Sequence, residues 1–421
     1  MSTTVKPASS TTPSTAGADA ARSCTSADPA RSSTADGPAL LPPTSADAVL
    51  ANTAALLPLI AEEADGIEAA ARLTPRAERA MRAAGVFEMG FPASRGGLEM
   101  TLEQQVAVVA TIAAVDASAG WNVGVLNAGG YYAGRLEQGA YDQLYPTRDM
   151  PTSGSFHPRG RAQRVDGGYL VSGHWDWGSG SYTAEHIVGG ALVFDGEQPL
   201  LGADGKQVYL GMWLPREAIE PAHNWQTLGV RGSGSTSFDI RTPAFVPTSH
   251  AFDREAPYRH EADPLNRSVK ICHFALTGVV LGIARHLLTT TGQLVRARGS
   301  RDTATVEMLG EAMGEVDFAE AGVREIARRT DEIIFSDTVL TEVDEARMTA
   351  ANAVAASALR RVITATTELA SARYVMDADP LQRILRDALS ALAHAGTRRK
   401  HLGPMAQAAL AQSSGHPWTA R

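Results

Sequence analysis

Length, composition and charge describe an ordinary globular protein. The 421 residues are 44% hydrophobic and 20% charged, enough to bury a large core and to form two or three domains. The net charge of −8 argues against nucleic acid or an anionic membrane as the main partner. With two cysteines and no run of 18 apolar residues, we expect a reducing, cytoplasmic setting and no membrane span.

The chain begins with a segment of low complexity. Of the first 45 residues, 34 are Ser, Thr, Ala, Pro or Gly, a composition that buries too little apolar surface to offset its ordering entropy. Residues 1–44 are therefore predicted to be a disordered tail. From about Ser45 apolar residues recur at helical spacing, and Thr74-Pro75 is typical of a helix start. These patterns predict a helical domain over residues 45–150.

Small residues dominate the end of this helical region. The stretch 117–134 is rich in Ala and Gly, which permits either close helix packing or a substrate channel. Close packing is the simpler interpretation.

The middle of the chain has the pattern of short strands. Asp166-Gly167 is a hairpin turn signal, and further strand patterns span 187–194, 208–214 and 237–246. Residues 151–262 are therefore predicted to be a β domain, a small barrel or sandwich.

Helical patterns return after this region and continue to the end of the chain. Four long ones predict a bundle over residues 263–421, at 271–295, 304–334, 344–372 and 381–395. The predicted fold class is α+β, mostly α, in the order helical domain, β domain, four-helix bundle.

Common catalytic signatures are absent from the sequence. The sequence contains no dinucleotide-binding glycine motif, phosphate loop, zinc-protease motif or nucleophile elbow. His394 and His401 are spaced to share a helix face, but they lack a carboxylate or third ligand nearby. No metal site is therefore expected.

Two Gly/Ser-rich segments of the β domain have the composition of a ligand cradle. They are WDWGSGS at 175–181 and LGVRGSGS at 228–235. Glycines let a planar ligand approach the backbone, Ser hydroxyls and backbone N–H groups can donate to it, and Trp175, Trp177 and Trp225 offer flat surface. Ordinary turns with core tryptophans are an equally good interpretation of the same residues.

Polar residues of the bundle have simple structural explanations beside their functional ones. His394, on an Ala/Leu-rich helix, is more often a core or interface histidine than a catalytic one. Arg386-Asp387 is most simply an ion pair or interface contact. Arg296 and Arg298 form a basic patch that suits either a phosphate or a solvated helix end.

Four motifs together resemble the acyl-CoA dehydrogenase fold over about residues 45–410. They are DASAGW at 116–121, GGYLVSGHWDWGSG at 167–180, WQTLGVRGSGS at 225–235 with FVP at 245–247, and PLQRILRD at 380–387. The resemblance implies the helical, β and helical-bundle order already indicated by the residues. It also implies a tetramer.

The catalytic base of the dehydrogenases is missing from this chain. Where those enzymes carry Glu shortly after the Arg-Asp pair, this sequence has Ala395. A second branch carries its Glu early in the bundle, and a rough alignment places Cys272 there. An acyl-CoA dehydrogenase-like oxidase with a relocated base remains an alternative, as does a non-catalytic scaffold.

The sequence is more similar to another branch, the oxygenase components of two-component flavin-dependent monooxygenases. This resemblance implies an enzyme that takes reduced FMN, or FAD, from a separate NAD(P)H:flavin reductase and reacts it with O₂ to a C4a-hydroperoxide. It also implies that Ser179 hydrogen-bonds near flavin N5 and that His394 activates or orients a small-molecule substrate.

Other site residues follow from the same resemblance. Trp177, Ser179, Gly180, Ser181 and Arg298 are predicted to bind the cofactor, Arg298 through its phosphate. Trp121 and Asn127 are predicted to line the substrate pocket.

Departures from the branch pattern leave the substrate open. Thr183 and His186 replace the usual His and Trp after the Ser-Gly motif. A Gly-Gly pair before the closing motif is replaced by residues 374–379, which favours FMN over FAD. The predicted substrate is a phenol or polyketide-derived aromatic, or an amine, in natural-product tailoring or catabolism.

Overall fold

A computed structural model describes residues 37–254 and 263–411 of the chain. Most of the predicted disordered tail falls on residues 1–36, outside the described residues. Residues 37–44 run along the first helix, where Leu41 exchanges two hydrogen bonds with the Asn52 side chain (2.7 and 2.8 Å). The last part of the predicted tail is therefore tied to the helical region.

In the described residues before the strands, the chain forms six α-helices. Side-chain caps define their starts: Thr74 caps the helix that begins at Pro75, and Thr101 forms a capping box with Gln104. The helices are α1 (Ala46–Ala70), α2 (Pro75–Ala83), α3 (Leu102–Ala113), α4 (Ala117–Leu126), α5 (Ala128–Gly134) and α6 (Gln138–Leu144).

Small residues bring these helices into close contact. A Cβ on Gly120 of α4 would lie 2.5 Å from the Ala113 Cβ, and one on Gly130 of α5 would lie 2.2 Å from the Gly90 carbonyl carbon. A larger side chain fits at neither position. Close packing is thus the role of these two glycines.

The strands form one sheet in the middle of the chain. They are β1 (Thr152–Val165), β2 (Gly168–Trp175), β3 (His186–Asp195), β4 (Gln198–Pro199), β5 (Tyr209–Leu214), β6 (Glu220–Pro221), β7 (Phe238–Pro247) and β8 (Ala251–Phe252). Asp166-Gly167 joins β1 to β2, as predicted, with Gly167 at φ +74°.

Hydrogen bonding leaves this sheet open within the described residues. The order is β6-β7-β2-β1-β3-β5-β8, with β4 paired to β3 and β1 parallel to β3. This sheet domain lies between the two helical regions, in the order that the fold class predicts. The end strands β6 and β8 are only two residues long.

The remaining helices form the predicted bundle. They are α7 (Thr277–Arg298), α8 (Thr303–Ile334), α9 (Glu342–Ala370), α10 (Pro380–Leu392) and the short α11 (Gly403–Ala411). The segment Ile271–Arg298 is long and apolar enough to cross a membrane, but 78% of its apolar window is buried inside the protein. It serves here as the core helix of the bundle.

The Arg386-Asp387 pair ties the bundle to the second Gly/Ser segment. Asp387 accepts the Val230 N–H at 2.6 Å, and Arg386 donates to the Leu228 carbonyl and, at 2.8 Å, to Glu68 of α1. Because Gly229 has no side chain, its backbone fits directly against Arg386. This clamp is structural, as the simpler interpretation of the pair predicted, and it holds the loop that forms the site.

Candidate active site

Three of the predicted site residues meet on one face of α4. The indole Nε1–H of Trp121 donates to Ser179 Oγ at 3.2 Å. The same indole contacts His394 in a T-shaped arrangement, with ring centroids 5.4 Å apart. Trp121, predicted as a pocket wall, thus connects the β-domain serine to the bundle histidine.

A chain of hydroxyls continues from Ser179 into the second Gly/Ser segment. Ser179 Oγ lies 2.6 Å from Ser235 Oγ, which lies 2.8 Å from Ser233 Oγ. Ser233 donates to the Val230 carbonyl at 2.7 Å. We call Ser179, Ser235 and Ser233 the serine relay, and all three are buried.

Backbone contacts hold the two Gly/Ser segments together. Gly180 N–H donates to the Ser233 carbonyl at 2.8 Å, and Asn122 of α4 donates to the Gly232 carbonyl at 3.1 Å. A Cβ on Gly232 would lie 2.1 Å from Ile67 Cγ2, so only glycine fits. The segments therefore dock on α1 and α4 as one unit.

Two buried carboxyl groups support this unit. Asp116 caps α4 by accepting the Ala119 N–H at 2.7 Å, and Asp387 accepts the Val230 N–H. Burial raises the pKa of Asp116 to about 6 and the pKa of Asp387 to about 7. Each carboxyl group therefore accepts a hydrogen bond from a backbone N–H group.

Two tryptophans, one in the first Gly/Ser segment and one just before the second, have features that a planar ligand could use. Trp177 is 60% exposed and has φ +58°, a strained backbone conformation for a residue with a large side chain. Trp225 has a buried Nε1–H with no hydrogen-bond partner in the described part of the chain. Flat surface, an unused indole donor and the Ser179 hydroxyl are a donor and acceptor set that a flavin ring matches.

His394 is held as a neutral ring. Burial, with a smaller effect of His401, lowers its pKa from the ordinary value. Its Nδ1 accepts the Gly396 N–H at 3.2 Å, so the neutral ring carries its proton on Nε2. In this tautomer Nε2 is a hydrogen-bond donor, a geometry that suits orienting a substrate oxygen.

Backbone donors of the first Gly/Ser segment are not available to a ligand. Besides Gly180, the Ser181 N–H donates to the Gly178 carbonyl at 3.0 Å and the Ser179 N–H to the Trp177 carbonyl at 2.8 Å. The expectation that backbone N–H groups of this segment donate to a ligand is wrong for these residues. Their predicted contact with a cofactor has to use other atoms.

In the described residues, neither Asn127 nor Arg298 takes part in the contacts that Trp121 makes with Ser179 and His394. Asn127 is buried and donates to Gln105 at 2.6 Å, while its Oδ1 lacks a partner within the described residues. Arg298 donates to the carbonyls of Leu369 and Ala370 at 2.7 and 3.0 Å, where it satisfies the end of α9. Its predicted phosphate contact would have to use its remaining donors.

Neither dehydrogenase base position carries a group that takes a proton at neutral pH. Ala395 has no acidic side chain, and burial raises the pKa of the Cys272 thiol to about 11. That thiol donates to the Val269 carbonyl at 3.0 Å. Dehydrogenation by proton abstraction lacks its base at both places.

Other histidines have structural contacts. His186 lies 2.6 Å from the Leu144 carbonyl, and His401 lies 2.9 Å from the Ala395 carbonyl. Over residues 37–254 and 263–411, no group of three or more His, Cys, Asp or Glu is arranged to hold a metal ion.

Sequence reasoning missed the residues that support the site. Ser233, Ser235 and Asn122 were not singled out individually, although the segment 228–235 was. A repeated Gly-Ser pattern in two distant segments was the available signal, because two such loops can pair through backbone carbonyls and hydroxyls. No local pattern pointed to the partnership of Asp387 with Val230.

This architecture and site define a protein of the acyl-CoA dehydrogenase fold. Residues 274–399 match the family model described as acyl-CoA dehydrogenase, C-terminal domain. The fold prediction is confirmed by this match and by the order of its three regions.

Within that fold, the chain is similar to oxygenase components of flavin-dependent monooxygenases. It is 25% identical to the oxygenase subunit HsaA of Rhodococcus jostii, over 81% of this chain and 92% of the relative. It is 30% identical to HsaA of Mycobacterium tuberculosis, over 52% of this chain and 54% of the relative. The chain thus spans about half the length of the M. tuberculosis relative.

Solved structures confirm the fold. The 3-HSA hydroxylase from Rhodococcus sp. RHA1 superimposes with a TM-score of 0.78 at 23% identity, covering 88% of this chain and 98% of that one. XiaF from Streptomyces sp., in complex with FADH2 and glycerol, gives 0.78 at 22% identity, covering 86% and 95%. FMN-bound TdsC from Paenibacillus sp. gives 0.71 at 20% identity, covering 85% and 96%.

Proposed function

We propose that this protein is the oxygenase component of a two-component flavin-dependent monooxygenase. The observation that carries the proposal is the meeting of Ser179, Trp121 and His394 at one place, combined with the absence of a dehydrogenase base at Ala395 and Cys272. A reduced flavin supplies two electrons to O₂, so that one oxygen atom enters the substrate and the other leaves as water.

The residues of the site take separate parts in this proposal. Ser179 would hold the flavin ring near N5, supported by the relay, and Trp177 would offer a flat surface to the ring. Trp121 separates the flavin side of the site from the substrate side. His394 orients the substrate oxygen or nitrogen through Nε2–H, because its Nδ1 is already used by Gly396.

A soluble flavin fits this site better than a permanently bound one. The relatives are named oxygenase components or subunits, which implies a separate NAD(P)H:flavin reductase as partner. Similar proteins have been solved with FADH2 and with FMN, so the proposed cofactor is reduced FMN or FAD with O₂ as co-substrate. We propose a cytoplasmic homotetramer, the assembly that the family resemblance implies.

The proposed substrate is an aromatic small molecule. Relatives are named for p-hydroxyphenylacetate and resorcinol, both phenols. A phenol ring suits the aromatic surroundings of Trp121, and its oxygen suits a donor at His394 Nε2. Tailoring of an aromatic natural product or catabolism of a phenol would each supply such a substrate.

Rapid mixing tests the proposal. The protein is mixed anaerobically with FMNH₂, and in parallel with FADH₂, then with O₂, and the absorbance is followed. A lasting near-ultraviolet band that differs from both reduced and oxidised flavin is expected. If oxidised flavin forms as fast as in free solution, the proposal fails, and acyl-CoA substrates with bound FAD become the next test.

A further inference from the structure

The serine relay has a fixed direction, which follows from counting its protons. Each hydroxyl has one proton to donate and two lone pairs that accept. Ser233 donates its proton to the Val230 carbonyl, so Ser235 must donate at the contact with Ser233. Ser235 has then no proton left, so Ser179 must donate at the contact with Ser235.

This direction leaves Ser179 with an acceptor only. Its proton is directed to Ser235, and one lone pair accepts the Trp121 indole N–H. One lone pair remains for a ligand, so a group bound against Ser179 Oγ has to donate a hydrogen bond. An acceptor at that place would require the whole relay to reverse. The Val230 carbonyl would then lose the 2.7 Å bond from Ser233 Oγ and keep only the 3.2 Å bond from the Ser233 N–H.

We propose that Ser235 and Ser233 act as positioning residues that make the site selective for reduced over oxidised flavin. The proposal rests on the function proposed above, in which N5 lies against Ser179. Reduced flavin carries an N–H at N5, whereas oxidised flavin presents only a lone pair there. The relay therefore favours binding of reduced flavin and disfavours binding of oxidised flavin. It also favours release of the oxidised flavin after turnover.

Buried surroundings keep this direction in place. All three hydroxyls are at most 8% exposed, so water cannot readily supply an alternative proton. The Val230 carbonyl that ends the relay belongs to a residue whose N–H is fixed by Asp387. Hydrogen bonds in such a chain also strengthen one another, which makes Ser179 a better acceptor than an isolated hydroxyl.

The test compares affinities for FMN and FMNH₂ in the wild-type protein and four variants. The variants are Ser233→Ala, Ser235→Ala, Ser233→Thr and Ser153→Ala. In Ser233→Ala and Ser235→Ala, the Ser179 hydroxyl proton becomes free to donate to the ligand. Ser233→Thr keeps a hydroxyl in the relay, and Ser153→Ala is the matched control. Ser153 donates to the Ser179 backbone carbonyl at 2.7 Å, so its loss disturbs the segment without touching the relay.

The expected result is a change in the ratio of the two dissociation constants. Ser233→Ala and Ser235→Ala should shift it by about five- to tenfold in favour of oxidised FMN, in line with one reversed hydrogen bond. Ser233→Thr and Ser153→Ala should leave the ratio unchanged. An unchanged ratio in both alanine variants, or an equal loss of both affinities, would overturn the proposal.

A second readout needs no flavin. In the free protein, the Trp121 indole proton is assigned in an NMR spectrum by its loss in Trp121→Phe. Ser235→Ala should move this signal upfield, because Ser179 becomes a weaker acceptor, and Ser153→Ala should not. If neither reduced nor oxidised flavin binds but the indole signal moves, the proposed function fails and the relay direction stands. If the indole signal does not move, the relay itself is contradicted.

Discussion

The imidazole of His394 stands edge-on to the indole of Trp121, with ring centroids 5.4 Å apart and planes at 84°. Trp121 belongs to α4, and His394 follows directly after α10. The contact therefore fixes the bundle histidine relative to the β-domain serine that the same indole holds. In the proposed function, this one side chain would couple substrate orientation to flavin contact.

His394→Ala should lose oxygen transfer while it keeps flavin binding. A positioned acid–base or donor group contributes about 10²- to 10⁴-fold, so product yield per flavin oxidised should fall at least tenfold. Reduced FMN should bind with wild-type affinity, because the proposed function assigns His394 to the substrate and not to the flavin. Product analysis beside flavin titration checks this, and a wild-type yield would remove His394 from its role.

The pH profile gives a second view of the same residue. Because burial lowers the pKa of His394, the ring stays neutral at pH values below its ordinary pKa of about 6.5. The yield of product per flavin oxidised should therefore stay constant from pH 8 down to pH 6.5 and fall only in more acidic solution. A decline centred above pH 7 would contradict this assignment.

Trp121→Phe should separate the hydrogen bond from the ring contact. Phenylalanine keeps an aromatic surface against His394 but removes the donor to Ser179. We expect uncoupled release of peroxide to rise severalfold. Trp175→Phe is the matched control, since the Trp175 indole donates to the Gly190 carbonyl at 2.9 Å within the β-domain core. The control should lose about 2–4 kcal/mol of stability, from the cavity and the unsatisfied Gly190 carbonyl, and keep the wild-type ratio of product to flavin oxidised.

Asp387 should make stability depend on pH in an unusual direction. Its pKa is about 7 in the folded protein and about 3.9 when unfolded, so the folded state holds the proton more tightly. Its contribution is complete below pH 3.9 and is lost as pH rises through 7. Asp116 and Glu68 oppose its ionisation, and Arg386 favours it.

Asp387→Asn removes this dependence while it keeps an acceptor for the Val230 N–H. The difference in unfolding free energy between wild type and Asp387→Asn should therefore change between pH 5 and 8. The wild type should become less stable relative to Asp387→Asn at the higher pH. Asp387→Ala also leaves the Val230 N–H unsatisfied, which should cost about 1–3 kcal/mol at every pH. Denaturant unfolding across this range measures both, and parallel curves would contradict the pKa.

The elements of this fold were predictable where local chemistry decides them. Thr74-Pro75 and Asp166-Gly167 act within a few residues, so the helix start and the hairpin turn follow from the sequence. The two-residue strands β4, β6 and β8 carry no periodic pattern, so the sequence does not predict them. The contacts of Arg298 with the Leu369 and Ala370 carbonyls could not be read from the sequence, because these partners lie about 70 residues away. Candidate site residues came from motif resemblance, whereas their supports, such as Ser235, depend on folded contacts.

Asn52 should carry much of the attachment of residues 37–44. It is 1% exposed, and besides Leu41 its amide contacts the Ala84 carbonyl at 3.4 Å. Asn52→Ala should destabilise the protein by about 1–3 kcal/mol, because it leaves buried backbone groups unsatisfied. Deleting residues 1–44 should remove most of the same bonds. In the deletion background, Asn52→Ala should therefore cost clearly less, and fully additive losses in denaturant unfolding would show that the two changes act independently.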